Sequence, residues 1–235
     1  MNIKIYKTKE ELSDKLSDYI IKNHINSSIA ISGGSSPKIL FRTLSEKLKK
    51  SINLDTKFFW VDERCVSPDS EESNYKMTKK KLFRYNVFKP KNIFRIKGEN
   101  NPEKELIEYN KTLKKNLKLE NNIPKFDLII LGLGEDGHTA SLFPNEFLKF
   151  RNKEECVIAT HPNSGQKRIS LSEKIINNAN EVIFYVPGSG KKYVVDEIVN
   201  KRGNFNSYPA SYIKPVSGKL YWYLDFNSSE MLTKQ

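Results

Sequence analysis

The sequence of 235 residues is poor in cysteine, histidine and tryptophan, with two, three and two of each. Its cysteines, Cys65 and Cys156, stand far apart, with no CxxC pair and no cysteine and histidine spacing of a zinc site. A disulfide framework and a bound metal are therefore not expected, and the thiols fit a reducing cytoplasm. The chain also lacks an apolar run of membrane-spanning length and an apolar N-terminal signal segment, so we expect a cytoplasmic protein with no membrane partner.

Acidic residues are outnumbered, 28 against 40 lysines and arginines, which gives a formal net charge of +12. A basic surface is typical of nucleic-acid-binding proteins, and the lysine run at 79–81 would suit phosphate contacts. The lysines are spread over the whole chain, however, among many asparagines and isoleucines. We therefore expect a solvated positive surface with no nucleic-acid partner, which would speed the encounter with small anionic substrates.

Short apolar segments alternate along the chain with segments of helical periodicity. A capping box from Thr8 to Glu11 begins a first helix that extends to about His24. The later elements are predicted as strands at 28–31, 57–61, 126–131 and 181–186, helices at 39–48, 74–83, 100–121 and 191–199, and a short helix with a closing strand at 208–225. The final ten residues are polar and are predicted to be frayed.

Repeated units of strand, loop and helix are typical of an α/β fold with a mostly parallel sheet and helices on both faces. No linker or internal repeat divides the chain, so we predict one domain over residues 1–235. In such sheets the loops after the strands meet at one edge, where ligands bind. The residues that follow each predicted strand are therefore the candidates for a functional site.

The loop Ser32-Gly33-Gly34-Ser35-Ser36-Pro37 follows one of these strands and precedes a helix. Unpaired backbone N–H groups at a helix N-terminus favour an anion, and glycine lets the backbone approach a phosphate. A tight turn that only joins strand to helix explains the glycines equally well. The loop matches neither a Walker A motif nor a GxGxxG dinucleotide motif.

The loop Gly132-Leu133-Gly134-Glu135-Asp136-Gly137-His138 has the GxGxxG pattern directly after a strand, so a nucleotide-binding loop is one interpretation. Its acidic pair, Glu135 and Asp136, would repel a pyrophosphate, which favours a catalytic loop. A neutral imidazole can take a proton from water at physiological pH, and a carboxylate two residues away can orient it. We predict His138 as a general base supported by Asp136, and a structural role for His161.

Two cations lie at the ends of other predicted elements. Arg64 follows the strand at 57–61, and its forked guanidinium suits a phosphate or an oxyanion. A salt bridge to Asp62 or Glu63 is the alternative for this arginine. Lys191 begins a later helix and is either a solvated lysine or a phosphate ligand, since a cation at a helix N-terminus is disfavoured unless an anion is present.

Several segments, taken in order, resemble the 6-phosphogluconolactonase family from the first strand to about Asp225. Each is weak alone, and their order and spacing carry the resemblance. Besides the two glycine-rich loops, they are Trp60-Val61-Asp62-Glu63-Arg64-Cys65-Val66, Ser73-Asn74-Tyr75, Thr139-Ala140-Ser141-Leu142-Phe143-Pro144, Arg168-Ile169-Ser170-Leu171, Gly190-Lys191, Pro209-Ala210-Ser211 and Trp222-Tyr223-Leu224-Asp225.

The resemblance implies a Rossmann-like three-layer α/β/α domain and hydrolysis of 6-phospho-D-glucono-1,5-lactone to 6-phosphogluconate, the second step of the oxidative pentose phosphate pathway. It implies no metal, no organic cofactor and no covalent nucleophile, and a monomer or homodimer. The implied catalytic residues are His138, Asp136 and Arg64, and the implied substrate-binding residues are Gly33, Gly34, Ser35, Arg64, Arg168 and Lys191. Lys167-Arg168 stands where a single arginine is expected, which leaves open which cation contacts the substrate.

Two other functions stay open at this stage. Amino-sugar phosphate deaminases/isomerases share both glycine-rich loops, but they resemble Asp-Gly-His-Ile-Ala-Phe-Asn, whereas Thr139-Ala140-Ser141-Leu142-Phe143-Pro144 follows the histidine here. A non-catalytic sugar-phosphate sensor would carry an N-terminal DNA-binding module, for which this sequence has no room. Such a sensor would also not need His138.

Overall fold

The computed structural model describes residues 1–216 and 218–232. Within these ranges the strands are β1 (Asn2–Tyr6), β2 (Ser28–Ile31), β3 (Lys57–Trp60), β4 (Asp62–Arg64), β5 (Ile93–Phe94), β6 (Lys118–Glu120), β7 (Ile123–Lys125), β8 (Leu128–Leu131), β9 (Val157–Thr160), β10 (Lys167–Ser170), β11 (Glu181–Val186) and β12 (Lys219–Asp225). The α-helices are α1 (Lys9–His24), α2 (Lys38–Leu48), α3 (Asn74–Lys81), α4 (Pro102–Asn116), α5 (Phe147–Phe150), α6 (Glu173–Asn177) and α7 (Lys192–Asn200). None of the helices in the described ranges is long and apolar enough to cross a membrane.

A central sheet has the strand order β1-β12-β11-β8-β2-β3-β5, and each neighbouring pair is parallel. Every residue of β2, β8 and β11 is buried, because helices cover the inner strands of a parallel sheet on both faces. The predicted three-layer α/β/α fold with a mostly parallel sheet is therefore confirmed. The sequence-based assignment did not include β1, an edge strand that pairs only with β12 and exposes Ile3 and Ile5.

The chain leaves the central sheet at Val61, where a single strand had been predicted to end. Its N–H donates to the Ile31 carbonyl of the central sheet, and its carbonyl accepts a bond from the Leu171 N–H beyond β10. The next residues form β4, which pairs antiparallel with β10 in a small sheet completed by β9. This switch carries residues 62–64 out of the central sheet and towards its carboxyl edge.

The predicted helix at 100–121 is too long, since α4 ends at Asn116 and a hairpin of β6 and β7 follows. Asn121 and Asn122, with φ angles of 52° and 63°, form its two-residue turn. Two residues in the left-handed region match the twist of the flanking strands, and asparagine tolerates that conformation better than most residues do. The two asparagines therefore form a hairpin turn where the charged pattern before them had predicted further helix.

The prediction that the last ten residues are frayed is wrong for residues 226–232. Ser228 and Ser229 are buried, and the Ser228 N–H donates to Oδ1 of the buried Asp225 at 2.8 Å. A buried carboxylate requires donors, and the turn after β12 supplies them. Residues 233–235, to which the same prediction applied, lie outside the described residues.

Asp127 joins two neighbouring strands at the edge of the sheet opposite their carboxyl ends. Its Oδ2 accepts bonds from the Ser28 N–H at 2.9 Å and the Ser28 hydroxyl at 2.7 Å. Partial burial raises the pKa of Asp127, but the bonds from Ser28, together with Asn180 and His24, outweigh it and lower the pKa below its ordinary value. The carboxylate therefore stabilises the junction of β2 and β8 in its charged form.

We expect Asp127→Asn to lower the free energy of unfolding at pH 7 by about 1–2 kcal/mol, because a charged acceptor is lost. The folded-state pKa lies below the unfolded one, so this stabilisation is present above about pH 4 and disappears as the pH falls through the folded-state value. Urea unfolding measured between pH 7 and pH 3.5 should show the difference from the unmodified protein narrowing. Asp69→Asn, at an exposed site, is the charge-matched control, and a difference that does not depend on pH would contradict the prediction.

Candidate active site

A cavity of about 280 Å³ lies beyond the carboxyl ends of β2, β3 and β8. Its lining brings together most of the predicted site residues, namely Gly33, Gly34, Ser35, Arg64, His138, Arg168 and Lys191. Asp136 is exposed and contacts His138 from outside the lining. Segments between Ser32 and Lys191 thus converge on one site, which we call the site cavity. Within residues 1–216 and 218–232 no cluster of three acidic, histidine or cysteine side chains could hold a metal ion.

The loop after β8 folds tightly around its histidine. The Gly134 N–H donates to the His138 carbonyl at 2.8 Å, and Asp136 Oδ1 lies 2.5 Å from His138 Nδ1. A Cβ on Gly134 would lie 2.1 Å from that nitrogen, so the glycine is required by the close approach of the ring. Gly137, with a φ of 76°, takes a left-handed conformation that completes the turn.

The pairing of Asp136 with His138 selects one tautomer of the neutral ring. Burial raises the pKa of Asp136, but the hydrogen bond and charge of His138 lower it more, so its pKa lies below the ordinary value. The ionised carboxylate accepts the proton on Nδ1, which leaves Nε2 with a free lone pair. This assignment follows from the bonding partner. The Phe143 ring, whose centroid is 5.0 Å from that of the imidazole, supports the same orientation.

The segment that follows His138 attaches the loop to the small sheet through buried hydroxyls. Thr139 Oγ1 donates to the Gly132 carbonyl at 2.8 Å, and Ser141 Oγ donates to Asp62 Oδ2 at 2.7 Å. The Ser141 N–H also donates to Ser170 Oγ on β10, at 3.1 Å. Asp62 is therefore an anchor for this segment, a role that the sequence left undetermined.

Glu63 binds the backbone at the N-terminus of α3. Its carboxylate accepts N–H groups of Arg64, Asn74 and Tyr75 at 2.8–2.9 Å. Burial raises the pKa of Glu63, although these backbone donors act in the opposite direction. With Glu63 occupied in this way, the alternative of a salt bridge to Arg64 is not realised. The Arg64 guanidinium instead donates to the Glu72 carbonyl.

Arg64 and Arg168 face each other across the antiparallel pair of β4 and β10. Burial lowers the pKa of Arg168, and the neighbouring Arg64 charge lowers it further, opposed by Asp62. The Nε atoms of both arginines are buried and have no hydrogen-bond partner among the described residues. Like charges placed directly opposite are unfavourable in a sheet, so this wall suits an anion.

The alternation of side chains along β10 shows which of its two cations, Lys167 or Arg168, lines the site cavity. Arg168 points to the site cavity, where its guanidinium lies 5.4 Å from the centre of the Phe143 ring. Lys167 is exposed, and its ammonium lies 3.7 Å from the Glu103 carboxylate. Neighbouring strand residues point to opposite faces, so only Arg168 lines the cavity.

The glycine-rich loop before α2 forms the opposite wall. Gly34 has a φ of 85°, which favours glycine, and a Cβ on Gly33 would lie 1.9 Å from Asn74 Oδ1. The first turn of α2 has neither a side-chain cap nor an acidic residue, so its N-terminal dipole is not neutralised by the protein there. Lys191 precedes the first residue of α7 and reaches the same cavity.

Sequence reasoning missed several residues that shape the site. Asn74 lines the cavity, Asp62 anchors one wall, and Phe143 contacts both His138 and Arg168. His161 accepts a bond from the Ser164 N–H at 3.2 Å, as expected of a structural histidine, and its ring meets the edge of Phe143. Asn74 and Phe143 both stand in segments that carry the family resemblance, which was the available sequence signal. No local pattern predicted the residues that they contact.

A parallel sheet whose loops enclose a polar cavity beyond its carboxyl ends defines a Rossmann-like α/β protein. A family model described as glucosamine-6-phosphate isomerases/6-phosphogluconolactonase matches residues 5–222. The chain therefore belongs to this family, and the resemblance drawn from its motifs is confirmed.

Named relatives cover almost the whole chain. A 6-phosphogluconolactonase from Aggregatibacter actinomycetemcomitans is 38% identical over 237 residues, which span 99% of this chain and 100% of the relative. One from Haemophilus influenzae is 40% identical over 230 residues, or 96% and 97% of the two chains. The solved structure of the Trypanosoma brucei 6-phosphogluconolactonase matches with a TM-score of 0.85 and 27% identity, covering 99% of this chain and 98% of that one.

Gly33→Ala should lower the free energy of unfolding by about 1–3 kcal/mol, because the new methyl group would overlap the Asn74 carboxamide and force it to move. Gly132→Ala is the matched control, since nothing lies within 4 Å of a Cβ at that position of the same cavity. Its stability should be unchanged or slightly higher. Chemical denaturation of both variants measures the effect, and equal stabilities would contradict the close contact of Gly33 with Asn74.

Proposed function

We propose that the chain, acting as one domain, hydrolyses 6-phospho-D-glucono-1,5-lactone to 6-phosphogluconate. The observation that carries this proposal is the Asp136–His138 pair, in which Asp136 Oδ1 lies 2.5 Å from His138 Nδ1, in a cavity that also contains Arg64 and Arg168. A base beside paired guanidinium groups suits the attack of water on a carbonyl carbon in an anionic substrate. The relatives named as 6-phosphogluconolactonases support the same substrate.

In the proposed reaction, His138 Nε2 takes a proton from water while the water oxygen bonds to the lactone carbonyl carbon. The resulting oxyanion is stabilised by Arg64. Its collapse breaks the bond between that carbon and the ring oxygen, and the departing alkoxide takes the proton from the imidazolium. Asp136 stabilises the imidazolium between the two steps. The product acid then loses its own proton to solvent.

The phosphate is proposed to lie on Gly33, Gly34 and Ser35, at the N-terminus of α2. The unneutralised first turn of this helix favours an anion, and glycines permit close approach of the backbone. Lys191 and Arg168 supply charge from the other side of the site cavity. This division places the phosphate away from the Asp136 carboxylate.

No covalent nucleophile is needed for this reaction. Ser141 is fully buried and donates its hydroxyl to Asp62, so its Oγ is already engaged. The relatives named as 6-phosphogluconolactonases favour the lactone over the alternative substrate, an amino-sugar phosphate.

A lactonase assay tests the proposal directly. Glucose-6-phosphate dehydrogenase generates the lactone, and the formation of 6-phosphogluconate is followed after correction for spontaneous ring opening. We expect a rate well above the spontaneous one, and a loss of about 10²- to 10⁴-fold in kcat for His138→Ala, with its circular dichroism unchanged. Equal rates with and without the protein would overturn the proposed function, and full activity in His138→Ala would remove His138 from the role of base.

Lys191→Ala should chiefly raise KM, by roughly tenfold, because a charge that holds the phosphate in both ground state and transition state contributes uniform binding. Lys192→Ala is the matched control, since the Lys192 ammonium pairs with Glu230 at 2.9 Å and does not line the cavity. Steady-state kinetics of the two variants measure the difference. An unchanged KM for Lys191→Ala would mean that Lys191 is only solvated.

A further inference from the structure

The motif Ser73-Asn74-Tyr75 has no part in the chemistry described so far, yet it presents an unpaired acceptor at the site. Asn74, the first residue of α3, is 2% exposed, and its Nδ2 donates to the Asp62 carbonyl at 2.9 Å. The bond to a carbonyl requires the amide nitrogen on that side, which fixes the carboxamide oxygen on the other. This Oδ1 is buried and has no hydrogen-bond partner among the described residues.

Asn74 lies between two spaces that a ligand can occupy. It lines the site cavity together with Gly33, against which its Oδ1 packs. It also lines an adjoining cavity of about 480 Å³, which shares Gly34, Ser35 and Arg64 with the first. Asn74, whose Oδ1 is unpaired, therefore lies in the wall between the proposed phosphate loop and the strand that carries Arg64.

The chemistry of the unpaired atoms at this wall differs. The Nε groups of Arg64 and Arg168 are donors and suit an anion, whereas Asn74 Oδ1 is an acceptor and would repel one. It needs a hydroxyl or an ammonium group. The proposed lactone substrate carries ring hydroxyls and no ammonium group, so a hydroxyl is the partner that this substrate offers.

We propose that Asn74 is a specificity-determining residue whose Oδ1 accepts a hydrogen bond from a ring hydroxyl of the bound sugar lactone. This inference rests on the proposed function and adds the substrate class to it, namely lactones that keep their ring hydroxyls. An acceptor that is buried and unpaired in the free protein is satisfied when a hydroxylated substrate binds. A deoxy analogue leaves it unpaired, and sites of this kind reject such analogues strongly.

The test compares 6-phosphogluconolactone with its 2-deoxy, 3-deoxy and 4-deoxy analogues on the unmodified chain and on Asn74→Leu. On the unmodified chain, one analogue should have a kcat/KM roughly 10- to 100-fold below that of the parent lactone. For the parent lactone, Asn74→Leu should lower kcat/KM by a similar factor. For the disfavoured analogue, the same substitution should lower kcat/KM by less than about twofold, because the hydroxyl and its acceptor act as one pair. Asn74→Asp, which keeps an acceptor oxygen, should retain the preference for the hydroxylated lactone.

Thr78→Val is the control for a purely structural effect. The buried Thr78 hydroxyl donates to the Asn74 carbonyl at 2.8 Å, so its loss disturbs the same turn of α3 without changing the cavity lining. This variant should keep the unmodified discrimination among the four lactones. The proposal is overturned if Asn74→Leu loses the same factor on every lactone, if Thr78→Val reproduces its pattern, or if no deoxy analogue is disfavoured by the unmodified chain.

A binding measurement separates this proposal from the proposed function. If the unmodified chain opens the lactone no faster than water does, the lactonase function fails, and calorimetry with 6-phosphogluconate and its deoxy analogues then tests Asn74 alone. The hydroxyl contact is supported if the unmodified chain binds one deoxy analogue more weakly than 6-phosphogluconate and if this difference in affinity disappears in Asn74→Leu. Equal affinities for all of them overturn it.

Discussion

At Val61 one residue belongs to two sheets, since its N–H donates to Ile31 in the central sheet and its carbonyl accepts from Leu171 beside the small sheet. The side chains after it consequently leave the plane of the parallel sheet and surround its carboxyl edge. Asp62 anchors the segment after His138, Glu63 binds the N-terminus of α3, and Arg64 enters the cavity. The walls formed by β4, by α3 and by the segment after His138 depend on this change of sheet.

The same switch sets Arg64 opposite Arg168, an arrangement that the folded chain tolerates at some expense of stability. The Phe143 ring offsets part of the repulsion, because its face attracts the Arg168 guanidinium. Residues that break a local rule of stability are common at functional sites. The overall positive charge of the chain is spread along the sequence, whereas these two arginines are held at the cavity by strand register.

Some polar groups around the cavity have hydrogen-bond partners within the protein, and others have none among the described residues. Asp62, Glu63, Ser141 and Thr139 are buried and bonded to backbone or hydroxyl partners, which favours rigid walls. The Nε atoms of the two arginines and the Oδ1 of Asn74 are buried without a partner among the described residues. A rigid frame that holds a few unpaired donors and one acceptor has the composition of a preorganised polar binding site.

The sequence by itself determined the features that depend on neighbouring residues. Apolar runs predicted β2, β3, β8 and β11, Thr8 and Glu11 marked the start of α1, and the spacing of Asp136 and His138 predicted the contact of a carboxylate with the imidazole. Local backbone bonding and periodicity operate over a few residues, which is why these predictions are confirmed. The same local rules failed at 100–121, where two asparagines in left-handed conformation form a hairpin in place of further helix.

Only the tertiary structure decided which distant residues meet. Arg64 faces Arg168, Asp62 holds Ser141, and Asn74 packs against Gly33 because the strand order places β2, β3 and β8 side by side and sends β4 to β10. No spacing along the chain encodes that order, since it follows from which faces of the sheet the connecting helices can cover. The sequence therefore predicted the contact of His138 with Asp136, whereas the cavity walls, and the unpaired groups in them, are consequences of the packing of the described chain.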